Sequence, residues 1–202
     1  LFSGSWDQTV KQWEVSSGRL IRTLAGHGSG VLSVALSGDG QTLFSGSWDQ
    51  TVKQWEVSSG RLIRTLAGHG DGVFSVALSG DGQTLFSGSS DQTVKQWEVS
   101  SGRLIRTLAG HGDGVLSVAL SPDGQTLVSG SQDGTIKRWS SSSGQCLATI
   151  WNWAEDAWLV MNRDGTFDGS PGGLARLGFV DNNCVYPSHE FPQWLRSGDS
   201  IG

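Results

Sequence analysis

The sequence repeats itself with a period of 42 residues, and this repetition constrains the fold more than any other feature. The segment LFSGSWDQTVKQW begins at Leu1 and again at Leu43, a close variant begins at Leu85, and a more divergent variant begins at Leu127. The first two periods differ from each other at only two positions. Such a chain is expected to fold as an array of similar units, each of which buries its apolar face against its neighbours.

Each period contains four short strand-like runs that are separated by turn signals. Residues 31–37 and 42–47 flank a Gly-Asp-Gly turn, and residues 51–57 and 61–67 flank a Ser-Ser-Gly turn. Short strands about ten residues apart, with glycine-rich turns, favour antiparallel β-meanders. No window shows a sustained apolar stripe with a 3.6-residue period, so the repeats are predicted to contain no helix. The predicted fold class is all-β.

A Gly-His pair lies near one end of the period and a tryptophan near the other. The pairs are residues 26–27, 68–69 and 110–111, and the tryptophans are Trp13, Trp55, Trp97 and Trp139. This pattern, with its period of 42, resembles the WD40-repeat family. The resemblance covers residues 1–150, which start in the middle of a unit, and it implies β-propeller blades of four antiparallel strands. The usual Trp-Asp pair is Trp-Glu or Trp-Ser here, a departure that leaves the expected fold unchanged.

The resemblance also implies a buried hydrogen-bond network in each blade, made of a histidine, a turn aspartate, a strand serine and the tryptophan. Carried over to this chain, the sets are His27, Asp49 and Trp55; His69, Asp91 and Trp97; and His111, Asp133 and Trp139. The serine member is one of Ser45 and Ser47, one of Ser87 and Ser89, and one of Ser129 and Ser131, respectively. Such networks are costly to satisfy only in part, so they are expected to tie the blade layers together.

A serine, a histidine and an aspartate in one unit also suggest a catalytic triad. A catalytic site needs a single asymmetric pocket, whereas this set recurs once in every blade. We therefore predict that the networks are structural and that the repeats are not catalytic.

In the family, the turns between the second and third strands and the loops between blades share one face, where partners dock. The residues of this chain that are expected on that face are Trp6, Trp48, Ser90, Gln132, Ser29, Asp71 and Asp113. Tryptophan beside a polar turn is a residue type enriched at interface hot spots. The alternative, equally open from sequence, is that Trp6 and Trp48 pack on a neighbouring loop.

Composition and charge argue against several other partners. The formal net charge is −5 and no long basic run is present, so nucleic acid is not an expected partner. No apolar run reaches the roughly 18 residues of a membrane span. The two cysteines, Cys146 and Cys184, do not make a disulfide scaffold and fit a cytoplasmic location. In residues 162–168 alternate side chains carry oxygen atoms, a pattern faintly like a calcium-binding loop. An Asp-Gly hairpin turn explains this pattern more simply, so no metal or cofactor is predicted.

Residues 151–202 break the repeat. Residues 157–161 stand where a first strand is due, while Trp153 occupies the position of the next blade's histidine. This segment is predicted to start as a degenerate half-blade and to continue as an irregular tail. Because the array opens at a second strand and offers a first strand at its other end, we expect two chains to complete one eight-bladed ring. The alternative is that these residues are the C-terminal piece of a longer array.

Three functions are consistent with the sequence. The leading one is a non-catalytic scaffold that binds a protein or peptide on the loop face. The tail is similar to the segment that follows such arrays in some large bacterial signalling proteins, which implies a sensor or docking part. The first alternative is a carbohydrate-binding propeller in which the repeated tryptophans stack on sugar rings. The second is an enzyme whose site lies in the tail, around Asp156, His189 and Glu190.

Overall fold

The repeats form successive antiparallel sheets, which confirms the all-β fold class and the four-stranded blades. The computed structural model describes residues 1–153, 157–174, 179–181 and 184–186. Within that part of the chain the one helix is α1, Pro171–Leu174. This helix is not long and apolar enough to cross a membrane.

The first blade has three strands and each of the next two has four. The strands of the first blade are β1 (Phe2–Gly4), β2 (Thr9–Trp13) and β3 (Leu20–Ala25). Those of the second blade are β4 (Val31–Leu36), β5 (Thr42–Ser47), β6 (Thr51–Glu56) and β7 (Leu62–Ala67). Those of the third blade are β8 (Val73–Leu78), β9 (Thr84–Ser89), β10 (Val94–Glu98) and β11 (Leu104–Leu108). By this correspondence β1 matches β5. The first blade therefore lacks an equivalent of β4 and β8, the innermost strands of the second and third blades.

Neighbouring blades pack face to face, with the innermost strand of one blade against the face of the blade before it. A Cβ atom at Gly46 would come within 2.9 Å of Val73 Cγ1, so only glycine allows the second and third blades to approach this closely. The backbone N–H of Val76 also donates to Ser33 Oγ across the same junction, at 3.1 Å. Apolar side chains fill the rest of the junction, in which Phe44 from one blade and Trp97 from the next belong to one buried cluster.

The fourth blade is larger than the others. Its strands are β12 (Val115–Leu120), β13 (Thr126–Ser131), β14 (Thr135–Ser140) and β15 (Cys146–Trp153), followed by β16 (Ala157–Asn162) and β17 (Phe167–Gly169). All six hydrogen-bond in chain order as one sheet. A separate two-stranded sheet joins β18 (Phe179–Asp181) and β19 (Cys184–Tyr186).

The structure differs from the sequence-based expectation in the position of β16. A strand does form at residues 157–162, but it pairs with β15 on one side and β17 on the other, and it does not start a further blade. In the earlier repeats, Gly26, Gly68 and Gly110 bend the chain toward the next blade with φ between 145° and 154°. Asn152 stands at this position in the last repeat, and a side chain disfavours that conformation. The strand therefore continues to Trp153, and the chain folds back along its own outer edge.

Candidate functional site

Each complete blade holds a chain of hydrogen bonds that runs from a surface turn into the core. In the third blade, His69 Nδ1 lies 2.7 Å from Asp91 Oδ2, and His69 Nε2 lies 2.7 Å from Ser87 Oγ. The indole N–H of Trp97 donates to the same Ser87 oxygen at 2.8 Å. A neutral imidazole with its proton on Nδ1 satisfies every member, because Ser87 then donates to Nε2 and accepts from Trp97.

The same arrangement occurs in the second and fourth blades. The second blade joins His27, Asp49, Ser45 and Trp55, and the fourth joins His111, Asp133, Ser129 and Trp139. The network serine is thus the first of each pair that the sequence left open. The second serine of each pair donates instead to a backbone carbonyl in the loop that enters its blade, as Ser89 does to Asp71 at 3.0 Å.

The turn aspartate also anchors the loop that enters the blade. Asp91 accepts the backbone N–H of Gly70 at 2.9 Å and both the N–H and the hydroxyl of Thr93. Although burial raises the pKa of Asp49, the hydrogen bonds from Thr51, Gly28 and His27 outweigh this effect and lower it to about 2. The carboxylates therefore stay ionised and hold the loop, the turn and two strands in one position.

The first blade contains only part of this network. Trp13 donates to Ser3 Oγ at 2.9 Å, as the equivalent tryptophans do in the other blades. Asp7, the equivalent of Asp49 and Asp91, forms an ion pair with Lys11 at 2.8 Å. In the described residues this turn therefore has its aspartate bonded to a lysine, where the other turns have theirs bonded to a histidine.

These serines cannot act as catalytic nucleophiles in this arrangement. Ser87 is fully buried, and its oxygen is shared between the Trp97 indole and the imidazole. A nucleophile must be accessible to a substrate carbonyl with oxyanion donors beside it. The His–Asp–Ser–Trp network therefore has a structural role, as a buried clamp that joins the surface turn to the core of the blade.

Burial of His27 and His111 predicts that the fold loses stability in mild acid. Desolvation, opposed in part by Asp49 and Asp133, lowers the pKa of His27 and His111 below the ordinary value of 6.5. The unfolded chain therefore binds more protons than the folded chain just below pH 6.5, so the free energy of unfolding falls as the pH drops through that region. Urea midpoints measured from pH 8 to pH 5 should be constant down to about pH 7 and then decrease. A midpoint that does not change between pH 7 and pH 5.5 would contradict this role of the histidines.

The expected loop-face residues lie on turns at one end of the blades. The backbone N–H of Trp48 donates to Gly30 O at 2.9 Å, which joins the turn after β5 to the loop before β4. Equivalent bonds join Ser90 to Gly72 and Gln132 to Gly114. The surface made by these turns and loops, termed the loop face, carries Trp6, Trp48, Ser90, Gln132, Ser29, Asp71 and Asp113.

An aromatic row crosses the loop face from the first blade to the third. Trp6 stacks on Trp48 with ring centroids 6.3 Å apart, and Trp48 and Phe74 pack edge to face with ring centroids 4.9 Å apart. Trp48 lies over Gly72, where a Cβ would come within 2.5 Å of the indole. Trp48 is thus partly buried against the neighbouring loop, whereas 72% of Trp6 is exposed.

Phe74 was not identified from the sequence as part of this surface. Its position holds leucine in the second and fourth blades, and Ser90 stands where Trp48 stands one period earlier. A Cβ at Gly114 would lie 3.6 Å from the Phe74 ring, where Gly72 has Trp48 over it. The larger side chain at position 74 thus occupies space left by the serine. The sequence did contain a signal for this contact, because the phenylalanine at position 74 and the serine at position 90 depart from the repeat within the same blade.

Other expectations from the sequence concern residues 162–168 and the tail. Asp164 Oδ1 accepts the backbone N–H and the hydroxyl of Thr166 in a tight turn. The described part of the chain holds no group of three or more His, Cys, Asp or Glu residues that could hold a metal ion. Asp156, His189 and Glu190 lie outside the described residues.

Four-stranded antiparallel blades, each clamped by a His–Asp–Ser–Trp network, define a protein built from β-propeller repeats. The family model "WD domain, G-beta repeat" matches residues 18–56, 60–98 and 102–140, which together make up more than half of the chain. The chain belongs to the WD40-repeat family, as its sequence pattern indicated. No significant match was found among curated proteins. Domains of this family typically act as non-catalytic scaffolds that mediate protein–protein interaction.

Proposed function

We propose that this protein is a non-catalytic scaffold whose loop face binds a protein or peptide, as the docking or sensor part of a larger signalling protein. The exposed indole of Trp6 is the observation that carries the proposal. Its ring rests on Trp48, so its conformation is largely fixed before a partner arrives. An exposed aromatic anchor held in place by its neighbours has the properties of an interface hot spot.

The charges of the loop face add specificity to this surface. Asp113 is exposed and Asp71 is partly exposed. Neither forms an ion pair with another described residue, and each carboxylate accepts the N–H of the following glycine, at 2.7 Å. A partner with a large apolar side chain and neighbouring positive charge complements such a surface.

Carbohydrate binding remains the second candidate because an exposed indole can also stack on a sugar ring. The Trp48 ring, however, is already in contact with Trp6, Gly72 and Phe74. Trp6 is therefore the tryptophan of the aromatic row that is open to stacking by a sugar. A change in intrinsic tryptophan fluorescence on addition of sugars, abolished by Trp6→Ala, would favour this alternative over a protein partner.

Substitution of Trp6 tests the docking function directly. The immobilised full chain should retain a reproducible set of proteins from a native lysate, and Trp6→Ala should lower their capture about tenfold or more, the effect of truncating a hot-spot residue. The matched control is Ile63→Ala, because Ile63 is an apolar residue, 36% exposed, on the outer strand β7. Equal capture by wild type and Trp6→Ala would overturn the proposal.

We also propose that two copies of the chain close one eight-bladed ring. The two ends of the array expose the faces that pack together between internal blades. At one end, Val128 and Ile136 are 38% and 40% exposed, whereas their equivalents Phe44 and Val52 are fully buried under the next blade. At the other end, Leu1 is 70% exposed and its equivalent Leu43 is fully buried.

These two faces are the two sides of the same repeated junction, except that the first blade lacks the innermost strand. Gly46 and Gly88 contact the valines of the following blade, whereas a Cβ atom placed at Gly130 would have no atom within 4 Å. Packing the fourth blade of one copy on the first blade of another would repeat the part of the internal contact that Leu85 and Trp97 make, through their equivalents Leu1 and Trp13, and, applied twice, would close the ring. The proposed closure depends on packing between blade faces and not on a strand that one copy donates to the other, since β16 is already paired with β15 and β17.

A further inference from the structure

An open groove of about 490 Å³ on the fourth blade carries two unpaired arginines. Its lining residues are Arg138, Leu147, Asn162, Arg163 and Asp164. Neither guanidinium forms an ion pair with another described residue. Arg138 is exposed, whereas its equivalent Gln96 is buried beneath the following blade, so the groove lies on the open face that the ring would cover. This part of the face therefore has an excess of positive charge.

The groove lies beside a position where the earlier blades hold an arginine on their outer strand. Arg106 of the third blade pairs across strands with Gln96, and the equivalent pair in the fourth blade is Ala148 with Arg138. The guanidinium has thus moved from the outer strand to β14. Arg163 adds a second one, because it follows the β16 residue that pairs with Ala148 on its other side. The short alanine leaves space between the two arginines.

The outer-strand arginines of the earlier blades have a definite contact at each internal junction. Each lies against a glycine in the turn after the third strand of the following blade, with its Cδ atom within 3.0 Å of the place that a Cβ would take. The pairs are Arg22 with Gly60, Arg64 with Gly102, and Arg106 with Gly144. An arginine stem from one blade therefore covers this turn of the next blade throughout the array.

The equivalent turn of the first blade, residues 14–18, is uncovered. A Cβ at Gly18 would have no atom within 4 Å. Val15 is 80% exposed, whereas its equivalent Val99 packs against the apolar cluster between the second and third blades. Glu14 begins the turn, and its carboxylate forms an ion pair with Arg19 of the same hairpin, at 3.4 Å. The turn thus offers apolar surface and a carboxylate, and it lacks the arginine that covers its equivalents.

We propose that the groove receives the 14–18 turn of a second copy, with the Glu14 carboxylate between the guanidinium groups of Arg138 and Arg163. This inference rests on the proposed ring and names the contact that directs the fourth blade of one copy to the first blade of the other. Opposite charges that face each other across an interface fix its register and exclude wrong pairings. The contact occurs twice in the ring, because each copy contributes one groove and one turn.

Reversal of the two charges in separate copies tests this contact. Arg138→Glu and Glu14→Arg, each in the full chain, should weaken the association of two copies about tenfold or more in sedimentation equilibrium, because like charges then meet at both junctions. An equimolar mixture of the two variants should recover the two-chain mass, since opposite charges meet again at each junction. The matched control is Glu98→Arg, which changes the same turn where it faces the second blade of its own chain. It should leave association unaltered.

The outcomes separate this contact from the ring itself. A wild type with single-chain mass at every concentration would contradict both the ring and the groove contact. A two-chain wild type that Arg138→Glu does not weaken, or a mixture as dissociated as the separate variants, would overturn the groove contact and leave the ring standing. Arg138→Gln restores the residue type of the earlier blades and removes the charge without reversing it. This variant should weaken association in the same direction by a smaller factor, and circular dichroism checks that each variant is folded.

Discussion

Asp91→Ala is expected to cost about 3 kcal/mol of unfolding free energy, because several hydrogen bonds to a half-buried carboxylate disappear at once. His69 Nδ1, Gly70 N and the N–H and hydroxyl of Thr93 all lose their acceptor. The imidazole is 1% exposed, so its N–H cannot recover a bond to water without opening the blade. Urea unfolding of the full chain at one fixed protein concentration measures the loss.

Asp7→Ala is the matched control for Asp91→Ala. Asp7 occupies the same turn in the first blade but serves only its own turn and Lys11 on the surface. Its replacement should cost a small fraction of the loss at Asp91, since exposed ion pairs contribute little. Equal losses at the two positions would show that the turn itself, rather than the clamp to histidine, stabilises the blade.

The fold and the clamp could be predicted because both depend on features that recur in every period. Strand alternation and glycine-rich turns place the strands, and the family pattern places His69, Asp91 and Trp97 in one network. Sequence alone could not choose between Ser87 and Ser89. Register decides this choice, because Ser87 pairs with Lys95 and lies two residues from Trp97 along the partner strand, within reach of its indole.

Features that depend on contacts between periods were harder to predict. Gln50 adopts a left-handed φ of 70° at a turn position where the fourth blade has Gly134, and nothing in the glutamine side chain signals this. The aromatic row needs the distance between Trp48 and Phe74, which belong to different blades. The reversal at Asn152 follows from the loss of a glycine whose positive φ is known only from the structure.

The proposed ring makes its sharpest prediction at Ile136. This side chain is 40% exposed on the open face of the fourth blade, at the position where Val52 and Val94 are fully buried by a following blade. If two copies close a ring, Ile136→Asp places an unpaired charge in an apolar junction and should weaken their association about a hundredfold or more. Light scattering should then give twice the mass of one chain for the wild type and a single-chain mass for the variant.

Ile63→Asp separates loss of the junction from a general effect of added charge. Ile63 is the same residue type, is 36% exposed, and lies on the outer strand β7 away from both open faces. It should therefore keep the wild-type mass, while Ile136→Asp dissociates. A wild type with single-chain mass at high protein concentration would exclude the ring of two copies. Dissociation by both variants would show that the contact between copies runs along the outer strands instead, as edge pairing of sheets would produce.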